Sequence, residues 1–353
     1  MTTKKGSSSF LKIILLLLFL AICAGFGYFG FTKYKSVYDP NVNLSGIDKA
    51  YLFIPSGSTY NDLVDLLTTS NYLIDNSSFE WVAERKNLSN NIHPGRYLIK
   101  DNMNNDDLVN LLRSGSQVPV QVTFSTVASR EIFAGKIARQ IEADSSQITE
   151  LLHDGAYLES VNFSLINWQA LLIPNTHEFY WNTSAQGFMD RLVAEYNIYW
   201  SESRTKLADD IGLNIMEVSV LASIIQRETT MNDEKPIIAG VYLNRLKRGM
   251  RLEADPTLIY ALGDFSIKRV LDVHKEIDSP YNTYIHSGLP PGPICTPTTQ
   301  SLEAVLNAEA HSYLFFCAKE DFSGYHNFAI TYAQHRVNAR KFQRELNKRR
   351  IWK

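Results

Sequence analysis

The first feature of the chain is an uninterrupted apolar run over residues 13–32, IILLLLFLAICAGFGYFGFT, which contains no charge. About 20 apolar residues, each rising ~1.5 Å, are enough to cross the hydrocarbon core of a bilayer, so the run predicts one transmembrane helix. Lys4, Lys5 and Lys12 precede it, and basic residues tend to stay on the cytoplasmic side. We therefore expect a cytoplasmic tail over residues 1–12 and, after a single pass of the membrane, the bulk of the chain outside the cytoplasm.

Two other kinds of N-terminal signal compete with this interpretation. A cleaved signal peptide has a shorter apolar region and a small-x-small cleavage site, whereas this run stays apolar through Phe31. A lipoprotein signal would be processed at Cys23, but the position before it holds the bulky Ile22. An uncleaved anchor fits better. N-terminal sequencing of the mature protein that began near residue 23 or 33 would contradict it.

Beyond the apolar run, the hydrophobic spacing predicts a small α+β unit. Residues 33–49 are polar, with a proline and a glycine, and predict a stalk. Between residues 50 and 118 the pattern changes in turn from strand to helical spacing. The predicted elements are a strand over 51–55, a helix over 63–67, a helix over 79–85, a strand over 96–99 and a helix over 108–112. No chemically active group stands out in this unit, so binding or spacing is its expected role.

The remaining stretch, residues 119–353, predicts a larger domain of mixed α+β type. Alternating residues over 116–127 indicate a strand, helical stretches follow to about Tyr157, and a long helical region covers about 185–208. No internal period suggests a repeat architecture. The expected fold class is α+β, with an N-terminal transmembrane helix and two folded parts of unequal size.

One predicted helix, over residues 214–228, carries the best candidate for chemistry. Asn214 and Glu217 have the spacing of a capping box at its start. Four aliphatic positions between 218 and 225 share one face, and Ser219, Ser223 and Gln226 share the other. Glu228 follows the apolar face by three and four residues, so it projects from that face. A partly desolvated carboxyl has a raised pKa, as a general acid requires, although a structural salt bridge would also explain its position.

Composition narrows the function further. The chain has 353 residues and a net charge of -2, so no global basic field attracts nucleic acid. The basic C-terminal stretch is better explained as a solvated helix face. The three cysteines have no zinc-ligand spacing, and His326 and His335 lack a third ligand, so we expect neither a metal nor another cofactor. Cys295 and Cys317 are not expected to form a required disulfide.

Four segments make the chain recognisable. They are ASIIQRET at 222–229, VYLNRLKRGMRLEADPTLIY at 241–260, PYNTYIHSGLPPGPICTP at 280–297 and GYHNF at 324–328. In this order and spacing they resemble the endolytic murein transglycosylase family, also called YceG-like, over about residues 50–345. The resemblance implies an inner-membrane protein, a LysM-like subdomain at residues 50–118 and a catalytic domain at residues 119–353. It also implies a single catalytic glutamate, in the motif that here ends Arg227-Glu228-Thr229.

The chain departs from the family pattern at several positions that bear on substrate detail and loop packing. Asn175 stands where an acidic residue is usual, and His177 replaces a tyrosine. Thr296-Pro297, preceded by Cys295, stands where Asn-Pro is common after the Gly-Leu-Pro-Pro-Gly turn, and Glu253-Ala254 stands where Gln-Ser is common. None of these changes affects Glu228.

The resemblance implies cleavage of nascent glycan strands between N-acetylmuramic acid and N-acetylglucosamine, to give 1,6-anhydro ends and so regulate strand length. Expected partners are glycan strands, the membrane and, as candidates, peptidoglycan synthases of the penicillin-binding type. From the aromatic and amide character of their loops, we expect four residues to bind substrate, although stabilisation of their own loops is as good an explanation: Tyr281, Asn282, Tyr284 and His326. Two alternatives stay open: a muramidase that uses water, with Asp255 or Asp278 as second carboxylate, and a non-catalytic wall-binding scaffold.

Overall fold

A computed structural model describes residues 7–127, 129–267 and 269–349. These residues form two compact units. The first runs to Val120 and includes Tyr180–Asn182, and the second comprises Gln121–Phe179 and the chain from Thr183 onward. Both contain helices and two-stranded sheets, so the α+β class predicted from the sequence is confirmed.

The first element that the structure describes is helix α1, Ser7–Tyr38, which is longer than the apolar run that predicted it. Its part from Leu11 onward is long and apolar enough to cross a membrane, and the side chains of residues 11–31 are exposed. A helix satisfies its own backbone hydrogen bonds, which makes such a segment compatible with a hydrocarbon environment.

The rest of the first unit follows the predicted order of elements. Its elements are β1 (Lys49–Ile54), α2 (Tyr60–Thr69), α3 (Asn76–Arg85), a 3-10 turn at Leu88–Asn90, β2 (Gly95–Lys100) and α4 (Asn105–Ser114). β1 and β2 pair antiparallel, with Lys49 opposite Lys100 and Ile54 opposite Gly95. The helices cover this ribbon with a common core that includes Leu63, Phe79 and Leu108.

The predicted stalk over residues 33–49 is corrected by the structure. Residues 33–38 continue α1, and Val42 and Leu44 are buried in the core of the first unit. The Asn41 side chain accepts a hydrogen bond from the Asp75 backbone at 2.8 Å and donates one to the Asn105 side chain, also at 2.8 Å. Once Val42 and Leu44 find apolar partners, burying them stabilises the segment more than its polar composition suggests.

The second unit is mainly helical. Its elements are β3 (Val120–Thr123), α5 (Arg130–Ile137), α6 (Ser145–His153), α7 (Gly155–Ser160), a 3-10 turn at Trp168–Leu171, β4 (Thr176–Phe179), α8 (Ala185–Tyr199), α9 (Glu202–Asp210), α10 (Ile215–Glu228), α11 (Lys235–Lys247), α12 (Asp255–Leu262), a 3-10 turn at Asp272–Glu276, α13 (Thr299–Leu306), β5 (Phe315–Ala318), β6 (His326–Ala329) and α14 (Tyr332–Lys348). β3 lies beside β4, and β5 pairs antiparallel with β6.

Candidate active site

A cavity of about 250 Å³ lies within the second unit, at the C-terminal end of α10. It is lined by Glu228, Tyr242, Arg245, Leu252, Glu253, Asp255, Tyr284, Phe316 and His335. Several titratable groups that converge on one cavity make it a candidate catalytic site.

Helix α10 places Glu228 at the edge of this cavity. Its predicted capping box is confirmed: the Asn214 side chain accepts from the Glu217 backbone, and the Glu217 carboxylate accepts from the Asn214 backbone. The helix is not two-faced as predicted, because every residue from Val218 to Ile225 is buried. It packs against α13 and α11 and forms the centre of the unit.

The two serines predicted for a polar face of α10 lie in the core. The Ser219 hydroxyl donates to the Ile215 carbonyl at 3.0 Å, and the Ser223 hydroxyl donates to the Val220 carbonyl at 2.7 Å. Ser223 also accepts a hydrogen bond from the Ile294 backbone at 3.0 Å. Because their hydroxyls are satisfied by backbone groups, both serines can be buried without an unpaired polar atom.

Glu228 is the last residue of α10, and its side chain is half-buried. The Tyr242 hydroxyl donates to Glu228 Oε1 at 2.6 Å. The pKa of Glu228 is raised to about 7, chiefly by burial and to a smaller extent by the nearby Asp255, although the Tyr242 hydrogen bond and Arg245 act to lower it. A carboxyl with a pKa near neutrality can both give and take a proton at physiological pH.

Arg245 holds one wall of the cavity in place. Its buried guanidinium donates to the carbonyl oxygens of Leu314 at 2.7 Å, Leu252 at 2.9 Å and Arg251 at 3.0 Å. It also pairs with the Glu253 carboxylate at 3.1 Å. Glu253 has a φ of 51°, a left-handed conformation that is uncommon for a residue with a side chain. The arginine therefore fixes the backbone of the segment that presents Glu253 to the cavity.

A third carboxylate, that of Asp255, faces the cavity at the start of α12. The Tyr284 hydroxyl donates to Asp255 Oδ1 at 2.6 Å. The pKa of Tyr284 is raised above its usual range, mainly by burial and also by the hydrogen bond to Asp255, so the phenol keeps its proton. Asp255 is thus held by a neutral donor in the same cavity as Glu228.

The aromatic side of the cavity comes from the hairpin of β5 and β6 and from α14. The ring of Phe316 meets that of Tyr242 edge-on, at 5.8 Å between centroids. The ring of His335 stacks on that of Phe315, with 5.4 Å between centroids. The pKa of His335 is lowered mainly by burial and also by the positive charge of Arg245. Its Nδ1 is buried and has no hydrogen-bond partner among the described residues. A neutral imidazole with an open nitrogen can donate to or accept from a polar ligand.

Among the residues predicted to bind substrate, only Tyr284 joins Glu228 in the lining of the cavity. Asn282 is fully buried, and its amide donates to the Lys275 and Ile277 carbonyls, which stabilises its own loop. Tyr281 packs against Tyr260, with 4.8 Å between ring centroids.

His326, the fourth predicted binder, also lies outside this lining. Its Nδ1 lies 2.8 Å from the buried Glu234 carboxylate, and its backbone N–H donates to the same carboxylate. These contacts hold the β5–β6 hairpin against the start of α11, so His326 stabilises the fold at this position.

Several lining residues were not singled out from the sequence, chiefly Tyr242, Arg245 and Phe316. For two of them, Tyr242 and Arg245, the sequence spacing does point to a shared position. Tyr242 and Arg245 lie three residues apart, and therefore on one face, within the predicted helix that became α11. Two polar side chains on a helix that is otherwise buried point to a lined cavity or a buried network.

The cysteines of the second unit are unpaired thiols in this structure. Cys295 is buried and its Sγ lies 3.5 Å from the Ser223 carbonyl, while Cys317 is half-buried in β5. Burial raises the pKa of Cys295 to about 12, which keeps the thiol protonated and poorly reactive. Within the described ranges, no three His, Cys, Asp or Glu side chains come together as a metal site would require.

Comparison with known proteins assigns the chain to a family. An endolytic murein transglycosylase of Bacillus subtilis is 28% identical over 331 residues, which cover 89% of this chain and 90% of that protein. One of the same name from Streptococcus pneumoniae R6 is 26% identical over 342 residues, 87% of this chain but 60% of the longer pneumococcal protein.

Structural comparison agrees with the sequence relatives. A crystal structure of a YceG-like protein from Listeria monocytogenes covers 82% of this chain and 98% of its own, with a TM-score of 0.54 and 26% identity. The model of the YceG-like family matches residues 52–341. The resemblance noted in the sequence is thereby confirmed, and the chain belongs to the YceG-like family.

Proposed function

We propose that this chain is an endolytic lytic transglycosylase that cleaves the bond between N-acetylmuramic acid and N-acetylglucosamine in nascent peptidoglycan, with Glu228 as its acid and base. The observation that carries the proposal is the half-buried Glu228 carboxyl, whose pKa is raised to about 7 and which opens on a polar cavity. The names of the curated relatives support the same activity.

In the first step the protonated Glu228 donates its proton to the bridging glycosidic oxygen. The bond between that oxygen and the anomeric carbon breaks, and positive charge develops at the sugar ring. As Glu228 becomes ionised, the Tyr242 hydroxyl stabilises the new carboxylate. A hydrogen bond to a charged acceptor is about twice as strong as one to a neutral acceptor, so the bond strengthens as the charge appears.

In the second step the same carboxylate accepts the proton of the muramic C6 hydroxyl while that oxygen closes on the anomeric carbon. The product carries a 1,6-anhydro ring, Glu228 is protonated again, and no water is consumed. One carboxyl whose pKa lies near the working pH suits both steps. Tyr284 and His335, which line the same cavity, are proposed to contact the sugar.

The membrane and the first unit complete the proposal. We propose that α1 crosses the inner membrane once, with its basic N-terminus in the cytoplasm and both units in the periplasm. The segment over 50–118 is proposed to be a LysM-like glycan-binding subdomain, and the region from 119 onward to be the catalytic domain. Cleavage near a synthase of the penicillin-binding type would then terminate strands and set their length.

A muramidase is the second candidate, and one observation favours keeping it. Asp255 lines the same cavity as Glu228 and could activate a water, as the second carboxylate of a hydrolase does. Asp278, the other residue considered for this role, does not line the cavity.

The deciding experiment is mass spectrometry of glycan strands digested by the full-length protein. A lytic transglycosylase gives 1,6-anhydro-muramic ends, whereas a muramidase gives reducing ends that are heavier by one water. Internal fragments, rather than released terminal disaccharides, would show endolytic cleavage. Reducing ends alone would overturn the transglycosylase proposal in favour of the Asp255 hydrolase.

The pKa of Glu228 predicts how activity depends on pH. The first step needs the protonated acid, so kcat/KM should be high below pH 7 and fall about tenfold per pH unit well above it. The measurement is the rate of anhydro-muropeptide release between pH 3.5 and 9, with folding monitored throughout. An alkaline limit near 4.5, the ordinary value for a glutamate, would contradict the assignment.

Tyr242→Phe tests how the environment sets that pKa. The change keeps the ring against Phe316 but removes the hydrogen bond that favours ionised Glu228. Such a bond contributes about 1.5–3 kcal/mol, so the alkaline limit should move up by about one pH unit or more while the maximal rate falls. Tyr196→Phe, at a buried tyrosine of α8, is the control and should leave the limit unchanged. A Tyr242→Phe profile identical to that of the parent would show that the bond does not tune Glu228.

A further inference from the structure

The anchor helix α1 runs without a break into the first unit, and this places a particular group of side chains just past its apolar run. No charge occurs between Lys12 and Lys33. The intervening 20 residues, 13–32, rise about 30 Å as a helix, which is the thickness of a hydrocarbon core. If α1 spans the membrane as proposed above, Lys33 lies at the level of the outer lipid headgroups.

Helix α3 packs against α1 and brings two more side chains to Lys33. The Lys33 ammonium lies 4.3 Å from the centre of the Trp81 ring, and the Arg85 guanidinium lies 3.7 Å from the same ring. Trp81 itself is half-buried at the edge of the first unit's core. We call Lys33, Trp81 and Arg85 the interfacial cluster. Tryptophan, like tyrosine, is enriched at the boundary between lipid tails and water.

The charges of this cluster are not neutralised by the protein. Two lysines close by in sequence have carboxylate partners: Lys35 with Asp39, and Lys86 with Asp106. Among the described residues, by contrast, Lys33 and Arg85 contact aromatic rings and lie within salt-bridge distance of no carboxylate. Two cations on one indole ring repel each other, and an anion placed between or beside them would relieve that repulsion.

We propose that the interfacial cluster binds the phosphate groups of anionic phospholipids in the outer leaflet and so holds the first unit against the membrane. The long apolar stems of Lys33 and Arg85 suit the boundary region, where the charged heads reach the phosphate layer. The proposal rests on α1 being a membrane anchor and is independent of the chemistry at Glu228.

The test uses the full-length protein in vesicles of phosphatidylglycerol or phosphatidylcholine, each brominated near the top of the acyl chain. The chain has five tryptophans, so the Trp81 signal is taken as the difference between the parent and Trp81→Phe. Each basic residue near an anionic surface contributes about a fivefold preference. Trp81 quenching should therefore favour the anionic lipid severalfold in the parent, and this preference should disappear in Lys33→Gln/Arg85→Gln. The control, Lys100→Gln, removes an exposed cation of β2 and should keep it.

The outcomes separate the possible failures. Protein that floats with both vesicles but shows equal quenching in the two lipids, or none, overturns the lipid-binding cluster and leaves the anchor intact. Protein that does not stay with vesicles overturns the anchor and this proposal together. Release of anhydro-muropeptides is measured on the same preparations and is expected from both Lys33→Gln/Arg85→Gln and Lys100→Gln. If the parent itself releases none, that result counts against the proposed function and not against the lipid-binding cluster.

Discussion

Glu228→Gln is expected to reduce the release of anhydro-muropeptides by at least 10²–10⁴-fold, because the amide can neither donate the proton of the first step nor accept that of the second. The side chain keeps its length, and its oxygen can still accept the Tyr242 hydrogen bond. The measurement is the rate of product release by mass spectrometry at pH 6, where the parent acid is protonated.

The same variant should gain stability in a defined pH range. A carboxyl whose pKa is raised from 4.5 to about 7 in the folded protein adds stability that is fully present below 4.5 and lost as pH rises through 7. Glutamine does not ionise, so the variant does not lose this stability as the pH rises. The unfolding free energies of variant and parent should therefore be nearly equal at low pH, and above pH 7 the variant should be more stable by up to about 3 kcal/mol. Denaturant melts of both proteins at several pH values measure this difference.

Glu217→Gln is the matched control for this experiment. It makes the same chemical change on the same helix, and glutamine serves in a capping box as glutamate does. Activity close to that of the parent is expected. A well-folded Glu228→Gln that cleaved strands at close to the parent rate would remove Glu228 from the mechanism, and Asp255 would become the leading candidate.

Local signals explain why so much of the fold could be predicted from the sequence. The Thr59 and Asn214 caps fix where α2 and α10 begin, and both form full capping boxes. Gly115, with a φ of 67°, ends α4 in a left-handed conformation that glycine adopts at little cost. Each of these signals acts within a few residues, so hydrophobic spacing and caps are enough to place the element.

Contacts between distant parts of the chain explain the errors. The stalk is predicted over residues 33–49 because they are polar, with a proline and a glycine. Val42 and Leu44 are nevertheless buried, and the Asp101 carboxylate accepts a hydrogen bond from the Leu44 backbone at 2.8 Å. The predicted helix over 185–208 is divided at Trp200–Ser201 into α8 and α9. The local sequence does not show which distant residues will pack against a short apolar segment or a helix end.

The cavity could be predicted only in part for the same reason. Glu228 follows from helix periodicity, but its neighbours come from α11, the β5–β6 hairpin and α14, which meet only in the folded unit. The aromatic and amide-rich composition of their loops predicts that Asn282 and His326 bind substrate. In the structure, their polar groups instead form hydrogen bonds with other residues of the fold. Composition identifies residues able to bind sugar, whereas burial decides which of them can reach it.

Arg245→Met is expected to destabilise the second unit by several kcal/mol. The change keeps much of the apolar stem but leaves the carbonyls of Arg251, Leu252 and Leu314 without their donor. The Glu253 carboxylate is exposed, so the cost comes from the carbonyls, and each buried polar group left unsatisfied costs about 1–3 kcal/mol. Activity should fall as well, because Glu253 loses the partner that holds it in a left-handed conformation at the cavity wall.

The control for Arg245→Met is Arg248→Met, at an exposed arginine that follows the same helix. It should change the unfolding free energy by no more than about 0.5 kcal/mol, as is usual for surface substitutions. Denaturant melts at pH 6 measure both variants, and product release is assayed on the folded fraction. Loss of the Arg245 guanidinium also removes one of the two influences that lower the pKa of Glu228. Any residual activity of Arg245→Met should therefore extend to higher pH than that of the parent. A stable Arg245→Met with an unchanged pH profile would show that the 251–253 segment keeps its shape without the arginine, and that the cavity is organised by Tyr242 and the β5–β6 hairpin instead.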